Sequence, residues 1–229
     1  MKQELLDVVA AGQSREAELE SFCVDAPADL SGRWAAKDHL AHLAWWRARA
    51  ARVIDAARTG AEPPLSVGDD DTQNAAIYAE TKDLAVAEVS ENAKAAWQAL
   101  RNAILACSEE GLRRKHPHAP GSQIWETVPG HAGHIGTHLM WWYLEQGDVE
   151  RAEAAELWAY GVESEAFPEP AKRADATYNL ACFYSRVGRA GRALELLRES
   201  FEAKPALREL ARRDPDLVPI RGELAPILL

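Results

Sequence analysis

Cysteine is scarce in this chain: Cys23, Cys107 and Cys182 are the three among 229 residues. They are odd in number, widely spaced and form no Cys-x-x-Cys. This excludes a disulfide framework and a cysteine-built metal site, and it fits reduced thiols in a cytoplasmic protein. Basic residues are also in deficit, with 26 Lys+Arg against 36 Asp+Glu and a formal net charge of -10. A chain so acidic lacks the cationic face that nucleic acid or an anionic membrane requires, so neither is expected as a partner. No apolar run approaches the length of a membrane span. Met1 to Ala10 carries Lys2, Glu4 and Asp7 and does not read as a secretion signal. The alternating period of a β-strand is missing throughout.

Helical periodicity is present instead, with 47% apolar residues to build a core. Met1 to about Val24 spaces Leu5, Val8, Val9, Leu19 and Phe22 as one amphipathic helix. A break over Ala26 to Gly32 precedes a second helix from Trp34 to about Ala57. Thr59 to Asp71, with Gly60, Pro63, Pro64 and Gly68, reads as a loop. Thr72 to Ser108 is helical again, with a possible break near Asp83. Gly111 to Gly121 is a second loop. Ser122 to Gln146 forms the fourth helix, with Gly130 as an alternative start because Pro129 precedes it, and Gly147 ends it. Four such helices make a bundle. The expected fold is therefore all-α, with a four-helix bundle over residues 1–147.

The remaining residues, 148–229, have a different pattern. Leu180, Ala181, Tyr184, Gly188, Ala193, Leu197 and Pro205 fall on the signature positions of a tetratricopeptide repeat. Small residues let two antiparallel helices approach, and Gly188 permits the tight turn. The spacing Tyr143-x3-Gly147-x4-Ala152 repeats that of Tyr184-x3-Gly188-x4-Ala193, so Val149 to Gly161 is expected to pair with the end of the fourth helix. One repeat cannot bury its own apolar face, so this helical hairpin module should pack on the bundle. Arg208 to Leu229 is then a capping segment broken by Pro215, Pro219 and Pro226.

The chemistry lies in a doubled pattern, His42-Leu43-Ala44-Trp45-Trp46 and His138-Leu139-Met140-Trp141-Trp142, with His134 one turn before the second copy. Histidines at i and i+4 share a helix face about 40° apart. With one histidine from a facing helix they supply three neutral nitrogens, the layout of a catalytic metal site with an open position. The alternative is that these imidazoles are half-buried core groups donating to carbonyls. His39 and His131 each precede a ligand candidate by three residues and are second-layer, substrate-facing or solvated. His116 and His118 flank Pro117 in a loop and read as exposed. Asp38 either orients an imidazole or serves the first turn of its helix. Glu145 is a weak candidate for a general base. Trp45, Trp46, Trp141 and Trp142 read as core packing, with one of each pair an alternative candidate for a pocket wall.

These residues carry a resemblance. Trp34 to Trp46, the segment Asn74-Ala75-Ala76-Ile77-Tyr78 and His134-x3-His138 resemble the DinB-like metalloenzyme superfamily, and within it the ClbS/DfsB-type four-helix bundles, over residues 1 to about 147. The resemblance implies a divalent metal, zinc or nickel, on His42, His134 and His138. It also implies a thiol transferase, isomerase or hydrolase acting on a small electrophilic molecule, with a low-molecular-weight thiol as partner. The C-terminal module departs from the plain bundle; it would cover the metal site, bind a protein partner or add a homodimer surface. A competing, non-enzymatic reading is peptide binding through that module, which requires exposed polar and aromatic residues at Asn179, Phe183 and Arg186.

Overall fold

The computed structural model describes residues 1–24, 33–65, 68–119 and 121–228. The break expected over Ala26 to Gly32 lies outside them. The helices are α1 (Lys2–Glu20), α2 (Ala36–Thr59), α3 (Asp70–Thr81), α4 (Val86–Ala106), the single turn α5 (Glu109–Leu112), α6 (Thr127–Glu145), α7 (Val149–Ala166), α8 (Pro170–Arg186), α9 (Ala190–Ala203) and the short α10 (Leu207–Ala211) and α11 (Arg221–Leu224). Among the described residues there is no strand, only an isolated antiparallel bridge between Lys115 and Gln123. The all-α bundle class expected from periodicity is the class observed.

The chain divides into two compact units, Met1–Ile135 and Gly136–Leu229. The division falls inside α6, twelve residues before the expected boundary at Gly147. In the first unit α1, α2, α4 and the first half of α6 surround a core that includes Leu5, Leu40, Leu43, Ile54, Leu100 and Ile135. Gly12 marks where three of them meet: a Cβ built there would lie 2.6 Å from Trp97 of α4 and 3.3 Å from Ala132 of α6. The region 72–108 is two helices. Lys37 sits at the break and donates its ammonium to the carbonyls of Lys82 (2.7 Å), the residue that caps α3, and Leu84 (2.8 Å) in the connection to α4.

The strongest buried polar contact of this unit was not legible in the sequence. Arg47 of α2, 1% exposed, pairs through both terminal nitrogens with the Glu16 carboxylate of α1. The same carboxylate accepts from Trp97 Nε1 at 2.8 Å, and the guanidinium lies 3.6 Å from the Trp97 ring centroid. Burial pushes Glu16 up and Arg47 down in pKa, and the attraction between the two opposes both shifts.

In the second unit, the repeated spacing becomes a repeated turn. Gly147 and Gly188 both have φ of 76°. At each, the amide of the following residue donates back to the tyrosine carbonyl five residues earlier, Asp148 to Tyr143 and Arg189 to Tyr184, both at 2.9 Å. This six-to-one hydrogen bond ends a helix and reverses the chain, so α6–α7 and α8–α9 are two hairpins of the same design. Ala181 and Ala193, both fully buried, allow the α8–α9 approach. Gly136 does the same for α6 and α7: a Cβ there would meet the Ala155 carbonyl oxygen at 2.6 Å and the Ala159 Cβ at 2.8 Å. Gly136→Ala should therefore cost about 1–3 kcal/mol in chemical denaturation through overpacking, although alanine is the better helix former by up to about 1 kcal/mol. A neutral or stabilising result would show that the helices can separate freely.

Beyond α9 the capping segment is broken as its prolines imply: the short α10 is followed by a 3-10 segment that Pro215 opens and that runs to Ile220, with Pro219 within it.

Two carboxyls of α7 are unusual. Glu156 is 3% exposed, and burial lifts it to about 7; Glu163 is lifted to about 7 by burial and by the charges of Glu156 and Asp175. An acid raised in the folded state contributes stability that is complete below its unfolded value, near 4.5, and lost as pH climbs through 7. For Glu156 this is worth about 3 kcal/mol. Thermal unfolding at pH 5 and pH 8 should show the decline, and Glu156→Gln should flatten it and raise the midpoint at pH 8. An unchanged pH slope in that variant would refute the assignment.

Candidate metal centre

One ligand nitrogen each of His42, His134 and His138 lies within 4.8 Å of the others. His42 projects from α2; His134 and His138 are carried by α6, which passes unbroken through the unit boundary, so the helix itself fixes their spacing. The rings of His42 and His134 are 5.3 Å apart and inclined at 73°. Burial lowers His42 to about 3 and His134 to about 4, with further lowering of His42 by His134 and of His134 by the Arg47 charge. Both imidazoles are therefore neutral at pH 7, the form in which histidine ligates a metal. The donor set fits a divalent ion such as zinc: three nitrogens at a separation that side-chain rotation can close.

The two first-unit members open into a cavity of about 380 Å³ lined by His42, Trp46, Asp70, Asn74, Thr127, Gly130, His131 and His134. Its wall is made of helical stripes. His42 and Trp46 are four apart on α2, Asp70 and Asn74 four apart on α3, and Thr127, His131 and His134 share one face of α6. Trp46 Nε1 donates to Asn74 Oδ1 at 3.0 Å and ties two of the stripes together. Behind His42 stands Trp34, 5.2 Å away between ring centroids and stacked on Tyr78 of α3 at 5.9 Å and 4°. Two of the three sequence segments that carry the family resemblance are thus in contact through this stack.

The remaining sequence candidates separate clearly. His131 lines the cavity, and burial brings it to about 3; the nearby charges of Arg47 and Arg49 add to the lowering. His39 is buried against Trp34, ring centroids 5.4 Å apart. Asp38 accepts from the Ala35 amide at 2.9 Å, so it caps the start of α2 rather than orienting an imidazole. Of the first tryptophan pair, Trp46 walls the cavity. Trp45 borders a separate groove of about 370 Å³ between α2 and α4. Glu145 lies two helical turns beyond His138 and is not among the cavity-lining residues. Asp70 and Thr127 were missed; their only sequence signal is that each lies a whole number of turns from a residue already singled out, Asn74 and His134.

A second cluster, Cys182, Asp214 and Asp216, also has ligand atoms within 4.8 Å of one another. Its carboxylates are already engaged: Tyr178 donates to Asp214 at 2.7 Å and Arg186 to Asp216 at 2.6 Å. Burial and Asp214 hold the Cys182 thiol far above the usual thiol range. These contacts fasten the proline-rich segment to α8.

No protein-family model matches this chain, and no curated protein sequence matches it. Among solved structures, the mycothiol-dependent maleylpyruvate isomerase superposes with a TM-score of 0.51 at 19% identity, over 60% of this chain and 59% of that one. A histidine-to-alanine mutant of that enzyme does so with a TM-score of 0.50 at 18% identity, over the same shares. The match thus spans less than two thirds of the enzyme's length. At this identity the likeness establishes a shared helical-bundle fold. No helix among the described residues is long and apolar enough to cross a membrane.

Proposed function

We propose that this chain is a divalent-metal-dependent enzyme, holding zinc or nickel on His42, His134 and His138, that uses a low-molecular-weight thiol or water against a small electrophilic molecule. The observation that carries this reading is the convergence of three imidazoles, two of which, His42 and His134, line a cavity large enough for a small molecule. A divalent ion with an open position supplies Lewis acidity and makes a thiol or water acidic near neutral pH. Around it, the chain's own residues do the rest. Trp46 offers a flat apolar wall, and Asn74, whose oxygen is committed to Trp46, turns its amide donors to other acceptors. Thr127 and His131 add polar groups along the α6 side. The bundle likeness to a mycothiol-dependent isomerase supports thiol transfer or isomerisation over hydrolysis. We further propose the division of labour expected from the sequence, with catalysis in the bundle and the two hairpins as a supporting repeat-like module.

The peptide-binding alternative loses its aromatic. Phe183 is buried in the second-unit core; Asn179 and Arg186 are exposed, the latter also contacting Asp216 and the Trp141 ring, 3.6 Å away. The deciding experiment is metal analysis by plasma mass spectrometry on protein purified without an affinity tag, beside a His134→Ala/His138→Ala variant. Near-stoichiometric metal in the parent and none in the variant supports the proposal. A parent that takes up neither zinc nor nickel on incubation overturns it.

A further inference from the structure

We infer that the cavity selects thiols whose far end is cationic or neutral over those ending in a carboxylate, and that Asp70 sets this preference; the inference rests on the metal-and-thiol reading above. Asp70 shares the cavity with His42, His131 and His134. Among the described residues, Asp70, exposed in the first turn of α3, is the one carboxyl side chain lining it. Of its acidic neighbours, Asp69 is committed to the helix cap through Thr72 N at 3.0 Å and Thr72 Oγ1 at 2.7 Å. Asp71 is exposed beside it. Arg49 lies near Asp70 but is not a lining residue; its guanidinium donates to the Pro64 carbonyl at 3.0 Å. A ligand with its sulfur at the histidines and a tail long enough to cross the cavity sets that tail against the Asp70 carboxylate. An amine or a hydroxyl is favoured there and a carboxylate is repelled.

Cobalt-loaded protein tests this with three thiols of similar length: 2-aminoethanethiol, 2-mercaptoethanol and 3-mercaptopropionate. Their affinities are read from the sulfur-to-metal charge-transfer band at one neutral pH. Thiols differ in intrinsic acidity, so the quantity compared is the amine-to-carboxylate affinity ratio in the parent against the same ratio in Asp70→Asn and Asp70→Lys. That ratio should fall about five- to twenty-five-fold in Asp70→Asn, because the lost attraction for the amine and the lost repulsion of the carboxylate are each worth up to about fivefold at about 4 Å in water, and fall further in Asp70→Lys. High salt should shrink the parent's ratio toward that of Asp70→Asn. Circular dichroism checks that both variants keep the parent fold, as a surface exchange in a first turn should. Bands with all three thiols but equal ratios in parent and variants overturn the role of Asp70 and leave the metal-and-thiol reading standing. No band with any thiol overturns that reading and this inference with it.

Discussion

Replacing Arg47 by methionine should cost the first unit about 3–5 kcal/mol, and Glu16→Ala a similar amount, because either change strands a buried charge without its partner. The expectation follows from position. Arg47 is 1% exposed, and its terminal nitrogens are held by Glu16 and, at 3.4 Å, by the Ala93 carbonyl of α4. Glu16 has Trp97 Nε1 as an additional donor. Desolvation opposes the ionised form of each, so the pair is maintained by mutual attraction in a dry setting. A double variant, Glu16→Leu with Arg47→Met, removes both charges and should lose much less than the sum of the single changes. Denaturant unfolding of the four proteins gives the coupling. Additive losses below about 1 kcal/mol each, the range of exposed pairs, would mean that water reaches the pair.

Zinc should raise the unfolding midpoint of the parent by about 5–10 °C when present at a hundredfold excess over its dissociation constant. Mass action gives about 2.7 kcal/mol at that excess, and a chain of this size gains about 2–4 °C per kcal/mol. His42→Ala, His134→Ala and His138→Ala should each abolish most of the shift, since two imidazoles hold zinc far less tightly than three. His39→Ala should retain it, because His39 packs on Trp34 and is not one of the clustered nitrogens. Differential scanning calorimetry with and without zinc distinguishes these outcomes. An equal shift in the parent and in all three ligand variants would place the ion elsewhere.

The gap between what was legible and what was not has a physical basis. Local rules were visible along the chain. Three-and-four spacing gave the helices, prolines and glycines gave the breaks, and the matched Tyr-x3-Gly spacings became two turns with the same φ and the same hydrogen bond. The i,i+4 placement of His134 and His138 was likewise a local fact, because a helix delivers both side chains to one face. His42 could be nominated because its surroundings repeat those of His138. The break within 72–108 was marked only loosely, and the contacts that hold it, Lys37 to the Lys82 and Leu84 carbonyls, join residues far apart in sequence.

By itself, then, the sequence determined an all-α chain, its hairpin turns and a list of imidazoles suited to a divalent ion, because each depends on the periodicity or the backbone preference of neighbouring residues. Tertiary structure alone decided which of seven histidines converge, that Asp38 caps a helix, that Phe183 is core and that Asp70 and Asn74 face the histidines. It also paired Glu16 with Arg47 and left Glu156 dry. Each of these is a choice of neighbour and of solvent exposure, set by how separate helices pack, and no local spacing encodes it.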